Sequence, residues 1–494
     1  MTHRSNPRLA PVVCLTVLTC AAFAVAAPDA PRPGTGTGPP PPYAPLRQME
    51  DYSYLKDPAK RTDFFDPIKY IPLNASGDWY LSLGGQARYR YEVYDNNNFG
   101  AGPQDDDGFN LGRFLGHADL HLGEHLRGFF QVKSSLEDGR VGGPRASDAD
   151  EIDIQQAFID FKLPLGPLGP AGSSVTLRGG RQELLYGAQR LIGPLDWANT
   201  RRTFEGGKAM FQFSKTHSLD LFWVRPVLVD KEEPNDGDGN TSFAGIYDTL
   251  GLPSAFGEAA KSKLELYGLV LNRTNAAWPA EGVGNEDRYT LGVRFSSNPK
   301  PWDMDVEADY QFGKFGSGDI SAWAFAAEGG YTFAAIPFTP RPFVGLDTAS
   351  GDDDPDNGDL QTFNQLFPTG HPFLGYIDAV GRQNIIDVRE GFDVTPLENK
   401  PWAKKVTLRT EYHLFWRQST HDALYNASGA VLRASGTSDA SQIGSELDLL
   451  LNWQLDRHAA AYFGYSHFFP GDFIHETGPD DDIDFFYAAL TYTF

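Results

Sequence analysis

In the stretch LGGQARYRYEVYD, alternation puts two guanidinium groups, Arg88 and Arg90, on the same side of an extended chain. Further basic side chains follow at Arg113, Arg127, Lys133, Arg178 and Arg181, and later at Arg389, Arg409 and Arg417. Residues 175–208 hold six basic residues (Arg178, Arg181, Arg190, Arg201, Arg202, Lys208) against three acids (Glu183, Asp196, Glu205). A guanidinium offers a rigid fork of donors that matches a carboxylate, and rings of Arg and Lys are how a pore favours anions. The chemistry on offer is anion recognition. An arginine on a wetted wall can also be plain solvated surface. The later part of the chain carries the opposite sign, at Asp303, Asp305, Glu307, Asp309, Glu328 and Asp347. Those acids either pair with the arginines or indicate a different solute.

Catalytic signals are weak. Histidines number only 11, and neither a Gly-x-Ser-x-Gly elbow, a zinc-ligand spacing nor a phosphate-binding glycine motif is present. The chain is therefore not expected to be an enzyme, nor to need a cofactor or resident metal. DGDGN (236–240) resembles the start of an EF-hand loop, but its twelfth position is Tyr247 instead of Glu. The run Asp352, Asp353, Asp354, Asp356 and Asp359 reads as a solvated face, with weak Ca²⁺ bridging to lipopolysaccharide as the alternative.

The elements that must carry these side chains are strands. WYLSLGGQARYRYEVYD sets Trp79, Leu81, Leu83, Ala87, Tyr89, Tyr91 and Val93 against Ser82, Gln86, Arg88, Arg90 and Glu92. A period of two is the mark of a half-buried strand. FLGHADLHL, LRGFFQVKSSLED, MDVEADYQF, VTLRTEYHLFW and IGSELDLLLNW repeat the pattern, and no segment of similar length has a 3.6-residue period. Strands this long suit a tilted bilayer crossing of about 9–11 residues. Connections alternate between short (GEHL, SKTH, NPKP, AIPF, DRH) and long, polar ones (95–109, 139–150, 184–202, 351–381, 418–439, 470–483). Aromatics such as Trp79, Tyr94, Trp302, Trp402, Trp416 and Phe469 gather near strand ends. These features predict an all-β fold, a transmembrane antiparallel β-barrel with an aqueous lumen.

Pattern alone yields seventeen strands. With both ends of the barrel on the periplasmic side, turns and outer loops must alternate and the number must be even. Counting from Trp79 makes 230–261 an outer loop, whereas counting back from Phe494 makes it a turn. One strand hidden at 240–250 (NTSFAGIYDTL) reconciles the two and gives about 18 strands. The closing strand bears Phe486, Ala488, Leu490, Tyr492 and Phe494 on one face. The loop LYGAQRLIGPLDWANTRRTF is too apolar for a free surface loop. It either folds into the mouth or lumen, carrying Arg190, Arg201 and Arg202, or packs on the outside.

Residues 1–26 read as a secretory signal peptide: basic flank, apolar core, and a small-residue exit at Ala24-Val25-Ala26. Both cysteines, Cys14 and Cys20, fall inside it, so the mature chain would hold no thiol. Residues 27–78 form a periplasmic tether, Pro/Gly-rich at 28–45, and 79–494 the barrel. A net charge of −23 and a mean hydropathy of −0.38 exclude a nucleic-acid partner and a helical membrane anchor beyond the signal segment.

DPIKYIPL (66–73), GGRQELLYGAQRLIGPLDWANTRRTFEGGKAMF (179–211), SGDDDPDNGDLQTFNQLFPTGH (350–371), HDALYNASGAVLR (421–433) and GYSHFFPGDFI (464–474) together resemble the alginate export family of outer-membrane β-barrel porins. The likeness runs over roughly 60–494. It implies a passive channel whose Arg-rich constriction passes a polyuronate, with the basic residues above as counterparts of that constriction. Uptake of small organic acids or sugars through the same barrel is the alternative. The resemblance also implies that Phe486, Leu490, Tyr492 and Phe494 are the signature read by the barrel assembly machinery. The partners implied are outer-membrane lipid, lipopolysaccharide and, for a polymer, periplasmic components of a polysaccharide secretion system.

Overall fold

The computed structural model describes residues 41–231, 233–279, 281–396 and 406–494. The expected signal peptide, the tether up to residue 40, and Trp402 lie outside the described residues. Eighteen antiparallel strands close into one barrel. They run Trp79–Asp95, Phe109–Leu122, Leu126–Asp138, Asp150–Pro164, Ser174–Gln182, Phe204–Ser214, His217–Leu228, Thr241–Gly251, Lys263–Trp278, Gly282–Ser297, Trp302–Phe315, Gly318–Tyr331, Arg341–Ala349, Ile385–Val394, Val406–Trp416, Gln442–Gln454, Ala459–Pro470 and Ile483–Thr493, and are numbered β1 to β18 in that order. Thr241–Gly251 is the strand that the even count required at 240–250. It pairs with β7 on one side and β9 on the other.

Closure comes from β18, which pairs with β1 from Gln86 opposite Thr493 to Asp95 opposite Asp484. In hydrocarbon no water can satisfy an open sheet edge, so a spanning sheet must close on itself. The alternation in sequence becomes an inside and an outside. Ile159 is 61% exposed and Trp223 70%, whereas Arg88 and Arg113 are 4% and 1% exposed. The apolar face is thus turned to lipid and the polar face inward. Among the described residues no helix is long and apolar enough to cross a membrane; the strands do the crossing.

Connections at the end where β1 begins are tight at 123–125, 215–216, 298–301 and 455–458. The long loops expected from the sequence all leave from the opposite rim. Strands β9 to β12 depart from strict alternation, because their outer connections, 279–281 and 316–317, are also short. Gly316, at φ +55, lets the second of these reverse within two residues.

Residues 41–78 pack at the β1 end of the barrel, where Arg47, Gln48 and Lys69 are buried against the inner wall and the seam. Arg47 donates to the carbonyls of Gly85 (2.9 Å) and Phe494 (2.9 Å), straddling the seam between first and last strands. Gln48 accepts from the inward-facing Arg127 and Gln156. Lys69 is buried beside the rings of Tyr52 and Phe494.

Candidate functional site: the lumen and its inward loops

Register brings the first arginines together. Arg88 on β1 stands directly opposite Arg113 on β2, with Arg90 two residues along. Like charges in such a pair repel, so something must compensate. Glu92 on β1 pairs with Arg90, and loop 183–203, which folds into the lumen, supplies the rest. Arg88 donates to the carbonyls of Asp196 (2.7 Å) and Trp197 (3.1 Å), and Arg90 to that of Trp197 (2.6 Å). Arg113 reaches the Asp196 carbonyl (2.9 Å) and carboxylate (2.8 Å), and the Ala198 carbonyl (3.1 Å). Lys133 and Ser135 on β3 hold the carbonyls of Thr200 and Asn199, each at 2.8 Å. The Arg90 guanidinium lies 3.7 Å over the Trp197 ring, which stacks on His371.

The other arm of the same loop reaches the far wall. Arg190 donates to Asp305 (2.6 Å) and Glu307 (2.8 Å), both on β11. Arg201 closes the loop on Glu183 (2.6 Å) and on Asp196. A second inward loop, 350–384, zips onto the first. Leu191 accepts from the Phe367 amide, Gln189 from the Thr369 amide, and Phe367 from the Gly193 amide, all at 2.9 Å. Arg202 donates to the carbonyls of Gly193 (3.3 Å) and Pro368 (2.9 Å). Among the described residues no carboxylate bonds to it, and burial pushes its guanidinium down to about 10. Asp196, flanked by Arg113 and Arg201, is held well below the usual carboxylate range.

The remaining basic residues are placed as follows. Arg127 and Arg178, toward the β1 end, each pair with an acid at 2.7 Å, Asp119 and Asp160 respectively. Arg181 bridges Asp153 and Glu205. Arg389 contacts Glu328, and Arg409 bonds to Asp393 and Glu411 on the later strands. Arg417 sits at the outer rim, donating to the carbonyls of Thr420, Asp422, Ser438 and Ala440. The acids of β11 thus serve as anchors, paired with Arg190, Arg294 and Arg341. Strand parity alone could have added Arg288, Arg294 and Arg341 to the inward-facing residues. The tight packing of the outer lumen was not foreseen. Phe99, Phe204, Phe243, Phe363, Phe415 and Phe485 form a buried layer with both loops there, so that part is not the open water expected of so wide a barrel. Between residues 277–279, 364–366 and 425–431 a cavity of about 430 Å³ remains, lined among others by Arg273, Trp278, Asn364, Gln383 and Tyr425.

The profile of the alginate export family matches residues 79–487, from the first residue of β1 into β18. The chain belongs to the alginate export family. A search of curated proteins gives no match. Solved outer-membrane barrels of Pseudomonas aeruginosa share the fold. OccK1 (OpdK) is 10% identical with a TM-score of 0.55, covering 84% of this chain and 98% of that one. OccK8 (OprE) is 13% identical with a TM-score of 0.54 and the same coverage. OccD3 (OpdP) is 10% identical, with a TM-score of 0.54, covering 84% and 91%. As an alginate export barrel with these fold relatives, the protein is an outer-membrane channel.

Proposed function

We propose that this channel passes carboxylate-bearing saccharides of the polyuronate class. The observation that carries the reading is the cluster of Arg88, Arg90 and Arg113 with Arg201 across Asp196, gathered where loop 183–203 crosses the lumen and carries Arg202 further along it. Arg88 and Arg202 bond to carbonyl and amide oxygens and to no carboxylate among the described residues, which leaves this part of the lumen with a local positive potential that favours anions. The family membership supports the same substrate class. Transport down a gradient requires only that binding be weak enough to release.

A second reading, uptake of small organic acids or sugars, draws on the 430 Å³ cavity, a volume typical of small-molecule sites. OpdK, one of the fold relatives, was solved with vanillate. Planar-bilayer recordings with uronate oligomers of increasing length separate the two. Anion-selective current blocked more strongly as the oligomer lengthens supports the polymer. Block that is strongest for monomers supports the small solute, and cation selectivity refutes both anionic readings.

A further inference from the structure

Away from the cationic wall, on β14 to β16, lies a cluster that transport of an anion does not use. Glu411 and His413 are two residues apart on β15 and share its inward face. Asp448 on β16 stands directly opposite Glu411. All three are buried, and their three donor atoms lie within 4.8 Å of one another. We propose that Glu411, His413 and Asp448 bind a divalent transition-metal ion of the zinc type on the barrel's inner wall.

The orientation of the imidazole carries the argument. Its Nδ1 lies 3.0 Å from an oxygen of Asp387 on β14, the geometry of a proton held on Nδ1, and in that tautomer the Nε2 lone pair points into the cluster. Such a carboxylate behind a histidine is the usual outer support of a metal ligand. Among the described residues the Nε2 atom has no hydrogen-bond partner, although His413 is fully buried. It faces Glu411 Oε2 at 3.6 Å and Asp448 Oδ2 at 3.7 Å. A proton on Nε2 would draw one of these oxygens to roughly 2.7–2.9 Å, and neither is that close. An ion with bonds of about 2.0–2.2 Å sets neighbouring ligands roughly 3.3–3.6 Å apart, close to the spacing seen.

The carboxylates are also presented with free oxygens. Asp448 spends Oδ1 on the Ser466 hydroxyl, and its Oδ2 has no partner. Glu411 takes Arg409 on Oε1, at 3.0 Å, leaving Oε2 turned to the imidazole. Glu446, opposite His413, adds a fourth buried acid beside Asp387, Glu411 and Asp448. It accepts from the Ile377 amide of the second inward loop (2.9 Å). A dication would offset this crowding of negative charge. One nitrogen and two oxygens suit Zn²⁺ and its neighbours better than Ca²⁺ or Mg²⁺, which take oxygen alone. Three protein donors leave a coordination place for water or a carboxylate.

The test uses the full mature chain, untagged, folded in detergent and stripped with a chelator. Titration with Zn²⁺ followed by calorimetry, and with Co²⁺ followed by its visible absorption, should show one site per chain. His413→Gln should weaken that site at least about 100-fold, and Asp387→Asn by about 10–100-fold through loss of ring orientation. Heat-modifiable migration on gels confirms that each variant is still a barrel. Wild-type protein that binds Zn²⁺ no more tightly than folded His413→Gln, or gives no Co²⁺ band that the variant lacks, would overturn the proposal.

Discussion

Replacing Arg113 by alanine should free loop 183–203 from the cationic wall. The side chain makes three bonds to the loop, at 2.8, 2.9 and 3.1 Å, from a fully buried position. Hydrogen bonds to a charged group contribute about 1.5–3 kcal/mol each, and the low end is taken for each of the three. Against this, the mutation relieves the repulsion from Arg88 directly opposite, worth about 1 kcal/mol. The net loss of about 3.5 kcal/mol raises the undocked population of the loop at least on the order of 100-fold. The two native cysteines, Cys14 and Cys20, sit in the expected signal segment, so a single Ala198→Cys reporter can be introduced. Thiol-labelling of that reporter should be on the order of 100-fold faster in the Arg113→Ala background, and bilayer conductance should become larger and noisier. Equal labelling rates in two folded, heat-modifiable barrels would refute the idea that these bonds hold the loop.

Three other outcomes can be checked. Charge reversal of Arg90 or Arg409 to Glu should move the reversal potential in a salt gradient toward cation selectivity; an unmoved potential would place the selectivity elsewhere. Burial pushes the Lys69 amine down to about 7, while an undocked lysine keeps its usual value near 10.4. The undocked segment therefore binds more protons between those values, so docking of residues 41–78 strengthens as pH rises from about 7 toward 10.4 and is flat below. Trypsin cleavage after Lys56, normalised at each pH to Lys69→Met, should slow over that window; a flat ratio would remove Lys69 as the cause. Deleting Phe494 removes the two backbone bonds with Gly85, at 2.9 and 3.0 Å, and the Arg47 contact at the seam. The yield of heat-modifiable barrel from membranes should fall several-fold, and an unchanged yield would show the seam needs no such lock.

Much of the architecture was legible because a lipid-spanning strand must alternate, and alternation survives in sequence. The parity of Trp79–Asp95 assigned inside and outside correctly, and the even-number rule placed Thr241–Gly251 although its own pattern is poor. The short outer connections at 279–281 and 316–317 escaped because nothing in the strand pattern fixes loop length. Residue type identified the inward arginines but not their partners. Arg190 lies 115 positions from Asp305, and no periodicity links a loop to a wall so distant. The apolar character of 184–202 hinted that it turns inward, yet which side chains receive it depends on register across the lumen. The Glu411, His413 and Asp448 cluster is equally hidden, because its donors come from two strands and match no linear spacing.

A hollow cylinder of many strands is soft against flattening, since its cross-section can become an ellipse with little change in any single hydrogen bond. Loop 183–203 is fastened to β1–β3 at one end and to β11 at the other, so it works as a tie-rod across that section. Lateral pressure from the surrounding bilayer would then be resisted along this diameter, with loop 350–384 bracing it toward β13 and β16. Severing the tie at Arg113 or Arg190 would then loosen the cross-section as well as the loop.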